Sequence, residues 1–200
     1  MAYIVFEGGE GSGKSTQAQV LAERLDAVLT REPGATELGA QLRKLLLEPG
    51  QAPVEARAET LLMAADRAQH MTQIVKPALD AGRHVVADRS LFSSLAYQGG
   101  GRGLGVDEVR RLNAWAIDGC WPDVVVLLDL SLDAARRRLD RGLDRLEQED
   151  AAFHERVRST YLELAAKADN WIVLDGDQSI DAVTEAVWSS IAPIVSGAPA

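Results

Sequence analysis

Eight residues near the start of the chain have the types and the spacing of a phosphate-binding loop. They run Gly8-Gly9-Glu10-Gly11-Ser12-Gly13-Lys14-Ser15, between an apolar strand-like run and a helical pattern. Glycines let backbone N–H groups approach a phosphate closely, and the helix that follows adds the partial positive charge of its N-terminus. In such a P-loop, Lys14 would reach the β- and γ-phosphates and the Ser15 hydroxyl would hold Mg²⁺. The run therefore predicts binding of a nucleoside triphosphate.

A carboxylate and an arginine follow a second apolar run. Asp88 ends that run, at a position where P-loop proteins usually keep an acidic residue for Mg²⁺. Arg89 comes next, and its planar guanidinium suits bidentate binding of a second phosphate. The alternative is that the two side chains form only an exposed ion pair, which contributes little to stability.

The length and the composition of the chain limit the classes of protein to which it can belong. The chain has 200 residues, which fits one domain with a substantial core, and we predict a single domain over 1–200. Its formal charge of −9 argues against a nucleic-acid-binding surface, which would normally be basic. The single cysteine, Cys120, excludes an internal disulfide and suits a reducing compartment. No apolar stretch is long enough to span a membrane, and the first residues lack the basic start of a signal peptide. We therefore expect a cytoplasmic protein without nucleic-acid or membrane partners.

Strand-like and helical patterns alternate along the chain. Short apolar runs predict strands, and apolar residues at helical spacing separate them. The predicted strands cover 3–6, 27–30, 84–88, 124–130 and 171–174. This alternation predicts an α/β fold in which helices cover both faces of a five-stranded parallel sheet. Ligands of such sheets gather at the carboxyl ends of the strands, where Glu7, Arg31 and Asp88 would lie.

Glycine and proline mark the predicted breaks between elements. Pro77 should interrupt or kink a helical pattern that Gly82 then ends. The glycine-rich run over 99–103 is typical of a flexible loop. We expect the last residues, 196–200, to form a disordered tail.

Short motifs continue beyond the P-loop, from the first strand to about Ala166. They are Thr30-Arg31-Glu32-Pro33-Gly34, Arg67-Ala68-Gln69-His70, Asp88-Arg89-Ser90, Ser93-Ser94-Leu95-Ala96-Tyr97-Gln98-Gly99-Gly100-Gly101-Arg102-Gly103 and Leu143-Asp144-Arg145-Leu146-Glu147-Gln148-Glu149. Their types and order resemble those of the bacterial thymidylate kinases. The T-R-E-P-G turn and the A-Y-Q-G-G-G-R-G run are the most specific parts of this resemblance, because P-loops alone are widespread.

The resemblance implies a fold, a reaction and an assembly. The fold is that of the P-loop NTPases, with a short arginine-rich lid over about 136–150. The reaction is transfer of the γ-phosphoryl group of ATP to dTMP with Mg²⁺, which gives dTDP for deoxynucleotide synthesis, and the assembly is a homodimer. The implied ATP site comprises Gly8, Gly9, Glu10, Gly11, Ser12, Gly13, Lys14, Ser15 and Thr16. The implied metal ligands are Ser15 and Asp88.

The resemblance also assigns an acceptor site for dTMP. Its implied residues are Glu10, Arg31, Met63, Arg67, Arg89, Ser94, Tyr97 and Gln98. Arg31 and Arg89 would lie near the dTMP phosphate, and Arg67 would hydrogen-bond the thymine edge. Glu10 would approach the 3′-hydroxyl, and Tyr97 would pack against C2′ of the deoxyribose. Ser94 would also contact the base, and Gln98 would lie near the substrate.

Several of these residues have a purely structural alternative. Arg67 could belong to a solvated helix face, and Tyr97 could be core packing. Met63 stands where the family often has a phenylalanine that stacks on thymine, four residues before the matching arginine. Because four residues make about one helical turn, Met63 and Arg67 should share a face. The alternative for Met63 is a core position that never contacts the base.

The implied catalytic groups are cations, because the acceptor is already an anionic phosphate and no covalent intermediate is needed. Some members of the family carry an arginine in the P-loop and others carry it in the lid. Gly11 and Ser12 fill the variable P-loop positions here, which moves the expectation to the lid. The implied catalytic set is Lys14, Arg89, Arg141 and Arg145. The alternative for 136–145 is a solvated basic helix face.

Two other functions stay open at this stage. Another nucleotide or nucleoside kinase of the same fold would keep Lys14, Ser15 and Asp88 but would bind a different base. A regulatory P-loop ATPase would lack a monophosphate site, whereas Arg31, Arg67 and Arg89 would supply one.

Overall fold

Five parallel strands form the centre of the protein. A computed structural model describes residues 1–138 and 144–196. The strands are β1 (Tyr3–Glu7), β2 (Val28–Arg31), β3 (Val85–Asp88), β4 (Val124–Asp129) and β5 (Trp171–Asp175). They lie in the order β2-β3-β1-β4-β5, and every neighbouring pair is parallel. The prediction of a five-stranded parallel sheet is therefore confirmed.

Helices connect the strands. They are α1 (Lys14–Leu25), α2 (Glu37–Leu47), α3 (Ala56–His70), α4 (Lys76–Asp80), α5 (Leu91–Ser94), α6 (Val106–Ile117), α7 (Leu132–Arg138), α8 (Ala151–Ala165) and α9 (Ile180–Val195). Two π-helical segments, Met71–Val75 and Leu95–Gly101, extend α3 and α5. Side chains of Thr36 and Ser179 cap the N-termini of α2 and α9, which satisfies backbone N–H groups that have no partner within the helix. Among the described residues, none of these helices combines the length and the hydropathy needed to cross a lipid bilayer.

The sheet separates two apolar cores. Side chains alternate along β1, so that Ile4 and Phe6 enter one core while Tyr3 and Val5 enter the other. The first core contains residues of α1 and α9, and the second contains residues of α3, α5, α6 and α8. Both faces are therefore covered, as the buried character of the strands predicted.

Strand register brings polar residues to one edge of the sheet. Asp88 of β3 lies beside Phe6 of β1 and beside Arg31 of β2. Glu7, the last residue of β1, lies beside Leu127 of β4. The P-loop, the T-R-E-P-G turn and the Asp88–Arg89 pair consequently start at neighbouring strand ends.

The long helix before β3 contains the break that Pro77 predicted. The π-helical segment Met71–Val75 lies between α3 and α4, and Pro77 lies within the first two residues of α4. A proline at that position needs no hydrogen-bonded N–H, and the wider π turn accommodates its ring.

The glycine-rich run 99–103 is largely helical, and the prediction of a flexible loop is wrong. The π-helical segment that starts at Leu95 continues to Gly101, and Gly99 and Gly101 are buried. A Cβ added at Gly100 would overlap the Thr160 hydroxyl and would lie 2.9 Å from its Cβ, and a Cβ at Gly101 would lie 2.6 Å from the Phe153 ring. These glycines therefore serve close packing against α8 rather than flexibility.

Some expectations fall outside the described residues. The lid expected over about 136–150 includes 139–143, and Arg141 is among them. Of the tail expected over 196–200, only Ser196 is described, where it caps the C-terminus of α9.

We predict that Gly100→Ala destabilises the protein despite the better helix propensity of alanine. The propensity gain is about 1 kcal/mol, and overpacking in a close-packed interior costs about 1–3 kcal/mol. Urea unfolding should therefore give a lower free energy of unfolding for the variant. Adding Thr160→Ala removes the overlapping hydroxyl and should restore part of that loss. A Gly100→Ala protein as stable as the parent would show that α8 can move away from the glycine run.

Candidate active site

A cavity of about 650 Å³ opens at the carboxyl ends of β1, β2 and β3. It is lined by every residue that the sequence assigned to the acceptor site, which are Glu10, Arg31, Met63, Arg67, Arg89, Ser94, Tyr97 and Gln98. Lys14, Ser15 and Asp88 line the same cavity. The fold thus brings the acceptor residues, scattered over almost ninety positions of the chain, to the phosphate-binding loop.

The P-loop has the backbone that its glycines predict. Gly8 has φ of 142°, and a Cβ there would lie 2.5 Å from the Leu128 carbonyl oxygen, so only glycine fits. The ammonium group of Lys14 donates to the carbonyl oxygen of Gly9 at 2.6 Å and to the Ser12 hydroxyl at 3.4 Å. Burial lowers the pKa of Lys14, and the positive charge of Arg89 adds to this effect. An anionic phosphate in the loop would oppose both effects and favour the charged ammonium.

Ser15 and Asp88 present the oxygen atoms that a magnesium ion needs. The Ser15 hydroxyl donates to Asp88 Oδ2 at 2.5 Å. The other carboxylate oxygen, Asp88 Oδ1, is buried and has no hydrogen-bond partner among the described residues. Mg²⁺ binds hydroxyl and carboxylate oxygens, and it usually takes one or two protein ligands together with substrate phosphates and waters. This pair of residues therefore fits the ion that the sequence predicted there.

Arg89 joins the P-loop to the wall of the cavity. Its backbone has a positive φ of 73°, which is uncommon for a residue with a side chain. Its guanidinium donates to the carbonyl oxygen of Gly8 at 3.2 Å and to the Ser93 hydroxyl at 3.1 Å, and it forms an ion pair with Glu10. The same guanidinium lies 5.3 Å from the centre of the Tyr97 ring. Arg89, Glu10 and Tyr97 are thus one contiguous group, and the idea of an exposed Asp88–Arg89 pair is wrong.

Arg67 is a buried residue, and the alternative of a solvated helix face is wrong. Its side chain is 3% exposed and donates to Glu32 at 2.7 Å, to the Ser90 carbonyl oxygen at 3.0 Å and to the Ser94 hydroxyl at 3.1 Å. It also donates to the side-chain oxygen of Asn113. These partners come from the turn after β2, from the start of α5 and from α6. They hold the guanidinium in one orientation at the cavity wall.

The Glu32 carboxylate stays ionised within this group. Burial opposes its charge, but Arg67 and a hydrogen bond to His70 at 2.7 Å outweigh burial, so the pKa of Glu32 lies below its ordinary value. His70 also contacts the Thr30 hydroxyl at 2.6 Å. His70 is therefore a packing residue in a polar network.

Sequence reasoning missed two members of this network. Glu32 lies inside the T-R-E-P-G motif, but the motif alone did not indicate a partner for it. Asn113 is fully buried on α6, four residues after Val109 on the face that packs into the protein. A single polar side chain on an otherwise apolar stripe was the available signal, because a buried polar group needs a partner.

Tyr97 and Gln98 lie on the π-helical segment, and Met63 lies on α3. The Gln98 amide donates to the Glu59 carboxylate at 2.9 Å. The Tyr97 ring meets Phe153 edge to face with ring centres 6.1 Å apart, and burial raises the pKa of its hydroxyl. Tyr97 and Met63 thus both belong to the core and also line the cavity, and their contacts with dTMP remain predictions.

The arginines of the predicted lid occupy different places. Arg138 donates to the carbonyl oxygens of Gly176 at 2.7 Å and of Gly11 at 3.3 Å, so it reaches the P-loop. The guanidinium of Arg145 lies against α2 and α3 instead, where it donates to the Leu46 carbonyl oxygen at 2.6 Å and pairs with Glu59 at 2.5 Å. A donor-side role for Arg145 remains a prediction, and Arg141 lies outside the described residues.

Comparison with known proteins identifies the family. A family model described as thymidylate kinase matches residues 6–187. The chain belongs to the thymidylate kinase family. It is 47% identical over 199 residues to a thymidylate kinase of Halothermothrix orenii, with 94% of this chain and 95% of that protein covered. A thymidylate kinase of Leifsonia xyli subsp. xyli is 47% identical over 189 residues, with 90% of each chain covered, and one of Bifidobacterium longum is 44% identical over 198 residues, with 94% and 96% covered.

Membership of the thymidylate kinase family confirms the P-loop NTPase fold that the resemblance implied. It also confirms the class of enzyme, a nucleoside monophosphate kinase that phosphorylates dTMP with ATP as the donor. The two rival functions, a kinase for another base and a regulatory ATPase, are not favoured by these relatives.

Asp66 is a buried carboxylate in the wall of this cavity. It lines the cavity next to Arg67, and one of its oxygens accepts from the Gly34 N–H at 3.1 Å. Burial raises the pKa of Asp66, and the negative charge of Glu32 raises it further, to about 6. Because this value lies above the ordinary value of 3.8, folding favours the protonated form. The stability contributed by Asp66 is full below about pH 4 and is lost as the pH rises through about 6.

We predict that Asp66→Asn stabilises the protein more at pH 8 than at pH 5. Asparagine keeps an oxygen that accepts from Gly34 but carries no charge, so the cost of ionising a buried acid disappears. The extra stabilisation at pH 8 should be on the order of 1–2 kcal/mol, since one pKa unit corresponds to about 1.4 kcal/mol. Urea unfolding of both proteins at the two pH values measures it. An equal difference at pH 5 and pH 8 would contradict the raised pKa of Asp66.

We predict that Met63→Phe binds dTMP more tightly and that Met63→Ala binds it more weakly. A thioether against an aromatic ring contributes about 0.3–1.5 kcal/mol, and an aromatic side chain stacked on a base contributes about 1–3 kcal/mol. The two ranges overlap, so the change in dTMP affinity should be modest, but its direction is defined. Calorimetric titration with dTMP measures both variants, with circular dichroism as the control for folding. Unchanged affinity in a folded Met63→Ala protein would remove Met63 from the site.

Proposed function

We propose that this chain phosphorylates dTMP inside the cavity at the strand ends, with Mg²⁺ bound between the P-loop and Asp88. The observation that carries the proposal is the continuity of this cavity. Lys14 and Ser15 of the P-loop line the same cavity as Arg67 and Tyr97. A donor on the P-loop and an acceptor among the arginines would meet without any rearrangement of the sheet.

The acceptor end has groups for each part of dTMP. Arg31 and Arg89 bind the phosphate, because a guanidinium matches phosphate oxygens bidentately. Arg67 donates to the thymine edge from the fixed orientation that Glu32 gives it. The Tyr97 ring packs against the deoxyribose at C2′, where a ribose hydroxyl would not fit. The remaining contacts are those of Ser94 and Gln98 near the base and of Glu10 near the 3′-hydroxyl.

Transfer requires positioning and charge neutralisation. An oxygen of the dTMP phosphate forms the new bond to the γ-phosphorus while the bond from that phosphorus to the bridging oxygen of ADP breaks. No proton has to move, since the attacking oxygen is already anionic. Lys14 and Arg89 neutralise the charge on the transferring group, and Arg138 contacts the outer side of the P-loop. Ser15 and Asp88 would hold Mg²⁺, which would supply further positive charge beside the donor phosphates.

The proposal includes an assembly and a compartment. A homodimer is supported by large apolar side chains exposed on two helices that pack side by side, Leu61 on α3 and Trp115 on α6, which are 58% and 81% exposed. Sedimentation analysis of the parent protein tests it. A reducing cytoplasm suits the single cysteine, Cys120, which forms no disulfide in the described residues.

A coupled assay of ADP release tests the activity. The acceptors are dTMP, dUMP, dCMP, dAMP, dGMP and UMP, with one sample that contains no acceptor. We expect release of ADP to require an acceptor and to be fastest with dTMP. Equal release without an acceptor would indicate an ATPase, and preference for another monophosphate would indicate a kinase for another base. Omission of Mg²⁺ should abolish release in every sample.

We predict that Lys14→Ala loses most of the transfer activity while the protein stays folded. The ammonium group stabilises charge that develops in the transition state, and its loss should lower kcat by about 10²–10³, the cost of removing one such donor. Steady-state kinetics with dTMP measure the effect, and circular dichroism checks the fold. Near-normal turnover in the folded variant would contradict the assignment of the P-loop.

A further inference from the structure

The Glu59 carboxylate binds side chains from two separate parts of the chain, the π-helical segment with Arg102 after it and the segment 144–149. It lies on α3, one helical turn before Met63, and is completely buried. It accepts from the Gln98 amide at 2.9 Å, from the Arg102 guanidinium at 3.3 Å and from the Arg145 guanidinium at 2.5 Å. A buried carboxylate with two guanidinium partners is well compensated, and removal of one partner is costly. Glu59 therefore fixes the positions of residues that are far apart in the sequence.

Arg145 ties the segment 144–149 to this carboxylate. Its backbone N–H donates to the Leu47 carbonyl oxygen at 3.0 Å, and its side chain donates to the Leu46 carbonyl oxygen at 2.6 Å, both at the end of α2. Glu149 at the other end of the segment pairs with Arg102 at 2.5 Å. Residues of this segment line the acceptor cavity, namely Asp144, Leu146 and Glu147. The contacts of Arg145 thus hold one wall of the cavity in place.

We propose that Glu59 and Arg145 are positioning residues of the acceptor site. Arg145 acts through Glu59 to fix the wall formed by 144–147, and Glu59 orients Gln98, another residue that lines the cavity, by the same carboxylate. This assignment rests on the proposed function, since it takes the cavity as the dTMP site. It moves Arg145 from the donor phosphates, where the family resemblance puts it, to the binding of the acceptor.

The proposal makes a kinetic distinction. A group that stabilises the transferring phosphoryl group contributes mainly in the transition state, and its loss lowers kcat. A group that orders the wall of the acceptor site contributes equally in the ground state and in the transition state, and its loss raises KM for dTMP. Arg145→Ala and Glu59→Gln should therefore both weaken dTMP binding about tenfold and change kcat less than threefold.

A double-mutant cycle tests whether the two residues act together. Calorimetric titration gives the dTMP affinity of Arg145→Ala, Glu59→Gln and the double variant. Because both changes remove one contact, the double variant should bind about tenfold more weakly than the parent rather than about a hundredfold. Arg145→Lys should recover part of the affinity, since an ammonium keeps the charge facing Glu59 but cannot also reach Leu46.

Arg158→Ala is the matched control. Arg158 forms a bidentate pair with Asp129 at 2.7 and 2.8 Å, between α8 and the end of β4, and does not line the acceptor cavity. Because neither residue of this pair lines the acceptor cavity, loss of the pair in Arg158→Ala should leave the dTMP affinity unchanged.

Two results would overturn the proposal. The first is a fall in kcat of more than tenfold in Arg145→Ala with unchanged dTMP affinity, which would return Arg145 to the donor side. The second is a loss of dTMP affinity in the double variant that equals the product of the two single losses. If Glu59→Gln does not fold, the dTMP affinities of Arg145→Ala and Arg145→Lys test the proposal instead. Failure of the parent protein to phosphorylate dTMP would refute the proposed function alone. The positioning roles of Glu59 and Arg145 are tested separately, by the calorimetric dTMP affinities.

Discussion

The buried ion pair between Arg67 and Glu32 determines how the acceptor end of the cavity is built. A charge removed from water is tolerated only when it is paired and hydrogen-bonded. Arg67 meets this requirement with Glu32 from the turn after β2, with the start of α5 and with Asn113 from α6. The Arg67 side chain therefore links four parts of the chain, which are α3, the turn after β2, α5 and α6. These contacts keep its guanidinium in one orientation at the cavity wall.

The same rule applies to Glu7 and Glu59, two further buried acids near the cavity. Glu7, at the end of β1, accepts from the Ser90 N–H at 2.8 Å, from the Ser93 hydroxyl at 2.6 Å and from the Tyr161 hydroxyl at 2.8 Å. Burial nevertheless raises the pKa of Glu7 above its ordinary value. Glu59 is paired with arginines instead. Three carboxylates, those of Glu7, Glu32 and Glu59, thus anchor β1, the Arg67 guanidinium and the segment that contains Arg145.

The local charge of the site differs from the charge of the whole chain. The formal charge of −9 describes an acidic protein and argues against a nucleic-acid-binding surface. The cavity nevertheless gathers Arg31, Arg67 and Arg89 around one space. Net charge describes the average over the whole protein surface. The binding of a phosphate depends instead on the few guanidinium groups within several ångströms of it.

The sequence by itself determined the sheet and the phosphate-binding end of the site, because both depend on contiguous residues. Apolar runs and glycine spacing predicted the five strands and the P-loop, and the residues that the family resemblance implied for the acceptor all line one cavity. Only the tertiary structure decided which groups are paired. Arg67 with Asn113 and Glu59 with Arg145 lie 46 and 86 residues apart, so no local pattern links them. The glycines at 99–101 illustrate the same limit, since composition predicted flexibility while close packing against α8 made them rigid.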